Sequence, residues 1–295
     1  MYTPEMQQHL EAFEEALPCY MPATGGLQTT VAEAMAYACE AGGKRIRPVL
    51  TMEFCRVCGG DSRQALPFAA AIEMIHSYSL VHDDLPCMDN SPLRRGRPST
   101  HAKYGETMAL LAGDGLLNLA FETMLRPDNH ANLSAQQVLS AAAALADGAG
   151  IDGMVGGQVI DLESEGKTID LATLEALQQG KTAALLIAAC VMGARLAGAD
   201  EAWEAAARSF GENVGLAFQI VDDILDVTAS ADKLGKPVGS DADNEKSTYV
   251  SLLGLEEARR LAAQRTADAV EALSVFGAQA DGLRLLAQRL LERDH

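Results

Sequence analysis

The chain has few aromatic residues, few basic residues and no long uninterrupted apolar run. Phe, Tyr and Trp make up 5% of its 295 residues, with a single Trp. Strands favour aromatic and β-branched side chains, so this scarcity argues against a β-rich fold. Ala- and Leu-rich stretches are present instead, and these favour helices. Lys and Arg number 23 against 41 Asp and Glu, a net charge of −18. Nucleic acid is disfavoured as a partner, because a phosphate backbone needs a basic surface. An anionic ligand must instead be met by local basic groups and bound cations. Residues Met1 to Leu17 are acidic and polar, without the basic start and apolar core of a signal peptide. The longest apolar run, Ala183 to Gly193, suits a buried core helix better than a membrane span. The expectation is a soluble, cytoplasmic protein with no stable membrane insertion.

Cysteine is also used sparingly. Cys19, Cys39, Cys55, Cys58, Cys87 and Cys190 are scattered through helical sequence, as free thiols of a reduced compartment would be. Cys55 and Cys58 form a CxxC, but no second pair completes a zinc site and no βαβ pattern surrounds it. They read as one face of a helix.

Two aspartate clusters stand out. Asp83, Asp84 and Asp89 crowd together after the apolar run Ile75 to Val81, with Arg94-Arg95-Gly96 close behind. Asp222, Asp223 and Asp226 follow Phe218-Gln219 far downstream, and Asp222 and Asp226 share a helix face. Carboxylates this close repel one another unless a cation lies between them. Hard oxygen donors suit Mg²⁺, which keeps several waters and takes substrate phosphate as well. The arginines can hold the phosphate oxygens that a metal leaves over. Basic residues also open a helix after Gly42-Gly43, in Lys44-Arg45-Ile46-Arg47-Pro48, the wrong sign for the helix dipole unless an anion binds there. By itself that basic turn could equally be solvated.

These motifs resemble the trans-prenyltransferases, the isoprenyl diphosphate synthases. The first aspartate motif has the longer spacing of bacterial farnesyl diphosphate synthases. Gly157-Gln158 with Asp161, Lys181-Thr182, Phe218-Gln219 and Lys236 complete the resemblance in the right order. It implies Mg²⁺ or Mn²⁺, three ions per site, held by Asp83, Asp84, Asp89, Asp222, Asp223 and Asp226. It implies that Arg94, Lys181, Thr182, Gln219 and Lys236 hold an allylic diphosphate. Lys44, Arg47, His76 and Arg95 would hold isopentenyl diphosphate. Without the resemblance, a lone His such as His76 is more often structural. A homodimer is implied as well.

The helical pattern and short connections predict an all-α bundle. The resemblance specifies a single isoprenoid synthase domain over residues 1–295, around a central cavity. Helices are expected over Met1–Ala16, closed by Pro18 and Pro22, over Leu27–Ala41, from Lys44, and over Ala65–Leu85. Further ones follow at Met108–Leu125, Ser134–Ala149, Asp152–Glu165, Leu171–Gly198 and Ala202–Ala229, with two amphipathic helices in Leu253–His295. Pro86–Thr100 and the polar stretch Ala231–Lys246 read as lids. Glycines 153, 156 and 157 permit close helix packing, and Gln158 and Asp161 either line the pocket or form a core polar pair. Asp114 is a lone acid of structural character. Tyr78 lies five residues before Asp83, about 7.5 Å along a helix, with the small Ser79 beside it. In the resembling family a bulky residue there accompanies a C15 product, farnesyl diphosphate. A C20 synthase is the alternative. A terpene cyclase, a non-catalytic partner subunit and a helical scaffold are less consistent with two aspartate clusters and two basic sets.

Overall fold

The computed structural model describes residues 1–130, 132–228 and 247–292. The expected second lid, with Lys233, Gly235, Lys236 and Gly239, lies outside the described residues. The rest is a single all-α domain. Helix α1 (Pro4–Tyr20) is capped by Thr3, whose hydroxyl accepts from Met6 N. It does not stop at Ala16. Pro18 sits within its last turns, where the lost hydrogen bond is outweighed by the buried stripe Met6, His9, Phe13 and Leu17. Then come α2 (Thr29–Cys39) and α3 (Ile46–Val57). After a 3₁₀ turn, α4 (Leu66–Asp83) follows.

Helices α3 and α4 are buried along most of their length and lie inside the molecule. Around them run α5 (Thr100–Tyr104), α6 (Glu106–Leu125), α7 (Ala135–Ala149) and α8 (Met154–Ser164). Next are α9 (Leu171–Gln178), α10 (Ala184–Leu196) and α11 (Glu201–Thr228). Helix α4 packs on α6, and α10 packs on α3, α7 and α11. The chain closes with α12 (Tyr249–Leu253), α13 (Leu255–Ala272) and α14 (Asp281–Leu291). A buried cluster ties the chain ends together. Glu53 bonds His9 at 3.0 Å and Arg56 at 2.7 Å, and Arg56 donates to Gln279 O at 2.8 Å.

Three local features differ from the sequence reading. The Pro86–Thr100 lid contains a two-residue hairpin, β1 (Leu93–Arg94) with β2 (Arg97–Pro98). Arg95 and Gly96 both take positive φ, 52° and 73°, as a tight hairpin turn requires. The stretch Leu171–Gly198 is not one helix, because Gln179–Ala183 forms a π-turn between α9 and α10. Asp114 is exposed, 4.0 Å from His82 Nε2, and has no core role.

By length and composition, Glu106–Leu125 and Ala135–Ser164 are apolar enough to cross a membrane. Neither is an uninterrupted apolar run, since mean hydropathy tolerates an Asp or a Gly. The second is broken by the turn between α7 and α8. Cys55 and Cys58 are buried at the end of α3, and burial pushes both thiols up to about 12. Protonated buried thiols are poor ligands and nucleophiles, in keeping with a structural helix face.

Candidate active site

Each end of the candidate site is built at helix termini of matching sign. The basic motif precedes the N-terminus of α3, where the dipole favours anions. Gly42 and Gly43 take φ of 76° and 131°, and Arg45 is left-handed at φ 50°. This tight turn leaves Arg47 on the first turn of α3. Arg47 Nε is buried without a hydrogen-bond partner. An orphaned buried donor on a cation marks a place for an anion. Burial presses the Arg47 pKa down, Glu73 opposes this and Arg95 adds to it. His76 lines the same cavity as Arg47, and burial and then Arg47, Arg95, Arg45 and Arg94 hold it well below its usual range. It is a neutral imidazole that can still donate one N–H.

The hairpin reaches this end from above. Arg95 donates to Gly42 O. Tyr37 of α2 fixes the hairpin, its hydroxyl 2.8 Å from Pro98 O and its ring 4.3 Å from the Arg97 guanidinium. Sequence reasoning missed Tyr37, since nothing local ties it to a turn sixty residues on.

The aspartates sit at the opposite kind of terminus. Asp83 ends α4, and Asp222, Asp223 and Asp226 fall in the last two turns of α11. A carboxylate at a helix C-terminus meets the negative end of the dipole, so both places favour added cations. Burial raises the Asp83 pKa most, Lys181 and Arg94 lower it, and Asp89 and Asp84 raise it further. Asp89 is exposed, and its backbone N–H donates to Asp83 O at 2.8 Å.

Asp84 and Asp223 each have a partner within the protein. Asp84 is buried and takes Arg94 in a fork, with contacts of 2.5 and 3.2 Å. Asp223 is buried and accepts from Tyr249 N at 2.8 Å. Arg94, expected on the allylic phosphate, thus holds Asp84 here.

Lys181 lies in the π-turn, an interruption often found at functional sites. The turn nestles against α8 because Gly157 has no side chain; a Cβ there would collide with the backbone of Gly180 and Lys181. Lys181 Nζ is 2.5 Å from Asp161 Oδ2, and both side chains line one cavity. Thr182 Oγ1 donates to Gln219 Oε1 at 3.3 Å, linking the π-turn to α11 one turn before Asp222 and Asp223.

Two cavities meet at Lys181 and Thr182. One, about 360 Å³, is walled by Met88, Met154, Val155, Val159, Leu162 and Leu185, with Arg47, His76, Gln158 and Asp83 at its polar end. Tyr78 and Ser79 also line it, and the Tyr78 ring stands edge-on to His82 at 5.7 Å. The other, about 150 Å³, holds Asp161, Gln219 and Asp223. A larger cavity, about 590 Å³, is lined by Gly153, Gly156, Gly157 and Gly180 but by none of the predicted ligand-binding residues, so size does not locate the chemistry.

Among the described residues no three His, Cys, Asp or Glu side chains converge as a ready metal cage. That does not disqualify the donor set. Mg²⁺ commonly takes only one or two carboxylates and completes its shell with water and substrate phosphate. Crowded oxygen donors, one carrying a raised pKa, fit such an ion.

The sequence pattern described as polyprenyl synthetase matches residues 28–275. The chain belongs to this family, the trans-prenyltransferases. It is 43% identical over 290 residues to the farnesyl diphosphate synthase of Geobacillus stearothermophilus, covering 98% of this chain and 97% of that one. It is 45% identical to the chloroplastic geranylgeranyl pyrophosphate synthase of Capsicum annuum, covering 89% and 71%. Among solved structures, an apo FPP/GFPP synthase from Zymomonas mobilis superposes with a TM-score of 0.86 at 38% identity, covering 97% of each chain. A geranyltransferase from Helicobacter pylori, complexed with magnesium and isoprenyl diphosphate, gives 0.84 at 33%, covering 99% and 98%.

Proposed function

We propose that this trans-prenyltransferase condenses isopentenyl diphosphate head-to-tail with dimethylallyl and geranyl diphosphate, ending at farnesyl diphosphate. The observation that carries the C15 reading is Tyr78, a buried ring on the wall of the apolar cavity, between Asp83 and the deeper interior. A tail anchored at Asp83 and Lys181 grows along α4 and meets that ring. A C20 product is the second reading. It is favoured by the C20-named relative at similar identity and by Val155, Val159 and Leu162, which leave one cavity wall open to solvent.

Asp83, Asp89, Asp222 and Asp226 would hold divalent metal, three ions by family analogy, with Asp84 and Asp223 supporting them from behind. Bound Mg²⁺ neutralises the diphosphate and makes it a better leaving group. Lys181, now on Asp161, is within reach of the same anion, and Thr182 and Gln219 orient it. Lys44, Arg47, His76 and Arg95 hold the second diphosphate. The allylic C–O bond breaks and its electron pair leaves with the diphosphate. The isopentenyl double bond then attacks the allylic cation, and the new cation loses a proton to the departing anion. Met88, Met154 and Leu185 offer this cation no oxygen, which limits capture by water.

We also propose a homodimer. Leu110, Leu111, Leu125 and Leu139 leave α6 and α7 with exposed apolar surface, as an isologous interface would use. The test of the activity is turnover of labelled isopentenyl diphosphate with geranyl diphosphate, followed by chromatography of the hydrolysed products. Farnesol is the expected product. Geranylgeraniol would favour the second reading, and a cyclic hydrocarbon without uptake of label would overturn both.

A further inference from the structure

Arg45 has no place in the mechanism above, yet its environment is the most constrained in the basic motif. Its backbone is left-handed, φ 50° and ψ 37°, just before α3. L-residues other than Asn and Asp rarely take that conformation, and Gly takes it freely. If the turn alone mattered, Gly would serve. An arginine here implies that its side chain is needed. That side chain is 1% exposed and makes three hydrogen bonds with the three nitrogens of its fork. Nε donates to Glu14 Oε1 at 2.8 Å, Nη1 to Glu73 Oε1 at 2.6 Å and Nη2 to Cys39 O at 2.8 Å. The guanidinium also lies 5.7 Å from the Phe13 ring. Helices α1, α2 and α4 thus meet on one side chain.

Glu73 is the other half of the arrangement. It is a buried carboxylate on α4, 2% exposed, three residues before His76. Among charged groups it acts most strongly on both Arg47 and Arg95. Yet it pairs with neither, because Arg45 takes its Oε1 at 2.6 Å. Arg47 Nε is left without a partner. Glu73 is the charged group acting most strongly on Arg47, whose Nε has no partner, so a released Glu73 would be drawn to it, since a buried unpaired charge is costly.

We infer that Arg45 is a positioning residue for the isopentenyl diphosphate subsite. It sequesters Glu73 and thereby keeps Arg47 available to the diphosphate. The inference rests on the proposed assignment of that subsite. It predicts competition: without Arg45, Glu73 becomes an internal rival of the substrate.

The experiment compares Arg45→Met with Arg45→Met/Glu73→Gln, measuring KM for isopentenyl and for geranyl diphosphate separately. Arg45→Met should raise KM for isopentenyl diphosphate by about tenfold or more, the size of one charge-assisted contact. KM for geranyl diphosphate should stay within about twofold. Adding Glu73→Gln should recover most of the isopentenyl KM, because the rival charge is gone. If Arg45→Met does not fold, Arg45→Lys with and without Glu73→Gln gives the same comparison, as lysine lacks the planar fork. Equal rises in both KM values, or a double variant no better than the single one, would mean Arg45 is merely structural and overturn the inference. Wild-type KM values in the single variant would overturn it too. A wild-type protein that condenses nothing would instead remove the functional reading on which it rests.

Discussion

The two ends of the site solve opposite charge problems. At the basic end, Arg45 holds the buried carboxylate of Glu73, Arg47 Nε is left without a partner, and the strain of left-handed Arg45 and Arg95 is held by hydrogen bonds already formed. At the acidic end, Asp83 is destabilised by burial and by Asp89 and Asp84, and it stands at the unfavourable end of a helix. The basic end is assembled by the fold itself. The acidic end gathers carboxylates at two helix C-termini, and on the proposed function cations with the substrate offset their charge. On the proposed function, one bundle meets diphosphate in two ways, by preorganised guanidinium groups and by carboxylates that recruit metal.

The largest expected effects come from breaking the acidic end. Asp83→Ala or Asp222→Ala should lower kcat by several orders of magnitude, and excess EDTA should abolish turnover; full activity in EDTA would contradict this part of the account. The same carboxylate costs the metal-free protein stability. A raised Asp83 pKa means the folded state binds that proton more tightly, so ionisation at neutral pH works against folding. Asp83→Asn should therefore raise Tm in EDTA at pH 7 and lose that advantage as the pH falls through the titration of Asp83.

Next in size is the separation of the two ends. Arg47→Ala should raise KM mainly for isopentenyl diphosphate, and Lys181→Ala mainly for the allylic substrate. Each should cost roughly 1.5–3 kcal/mol, about ten- to a hundred-fold. Tyr78→Ala should lengthen the product from C15 toward C20 by enlarging the cavity. A wild type that already stops at C20, or a variant that still stops at C15, would remove Tyr78 from that role.

The smallest effect concerns His76. Its folded pKa is depressed, so its contribution to stability is present above the unfolded value of about 6.5 and lost as pH falls below it. Between pH 7 and 5, wild type should lose more stability than His76→Gln, by on the order of 1 kcal/mol. Parallel urea titrations at both pH values measure the difference, and identical losses would show that His76 does not carry this burden.

Much of this was legible in the sequence because charge inside apolar sequence has few innocent explanations. Asp83, after the apolar run Ile75 to Val81, located the C-terminus of α4 and the acidic end together. Pairings were not legible. Arg94, expected on phosphate, also forks Asp84, a pairing set by a hairpin whose positive-φ turn the sequence only hinted at in Arg95-Gly96. The π-turn at Lys181 was hidden within a continuous helical pattern, although Gly180 beside it and Gly157 on α8 were visible traces of the close contact. Helix α1 ran through Pro18 because buried side chains outweighed a local breaker. Glu73 did leave a signal, a lone acid within the apolar run Phe68 to Ile75, but its partner Arg45 lies 28 residues away.

The contrast between the ends is tested most directly by calorimetry of each ligand with and without metal. Isopentenyl diphosphate and a non-ionising geranyl thiodiphosphate would each be titrated into the protein in Mg²⁺ and in EDTA. The account predicts that Kd for isopentenyl diphosphate changes by less than about threefold, while the geranyl analogue weakens by about a hundredfold or more. Equal loss of both ligands in EDTA, or metal-independent binding of the geranyl analogue, would contradict it.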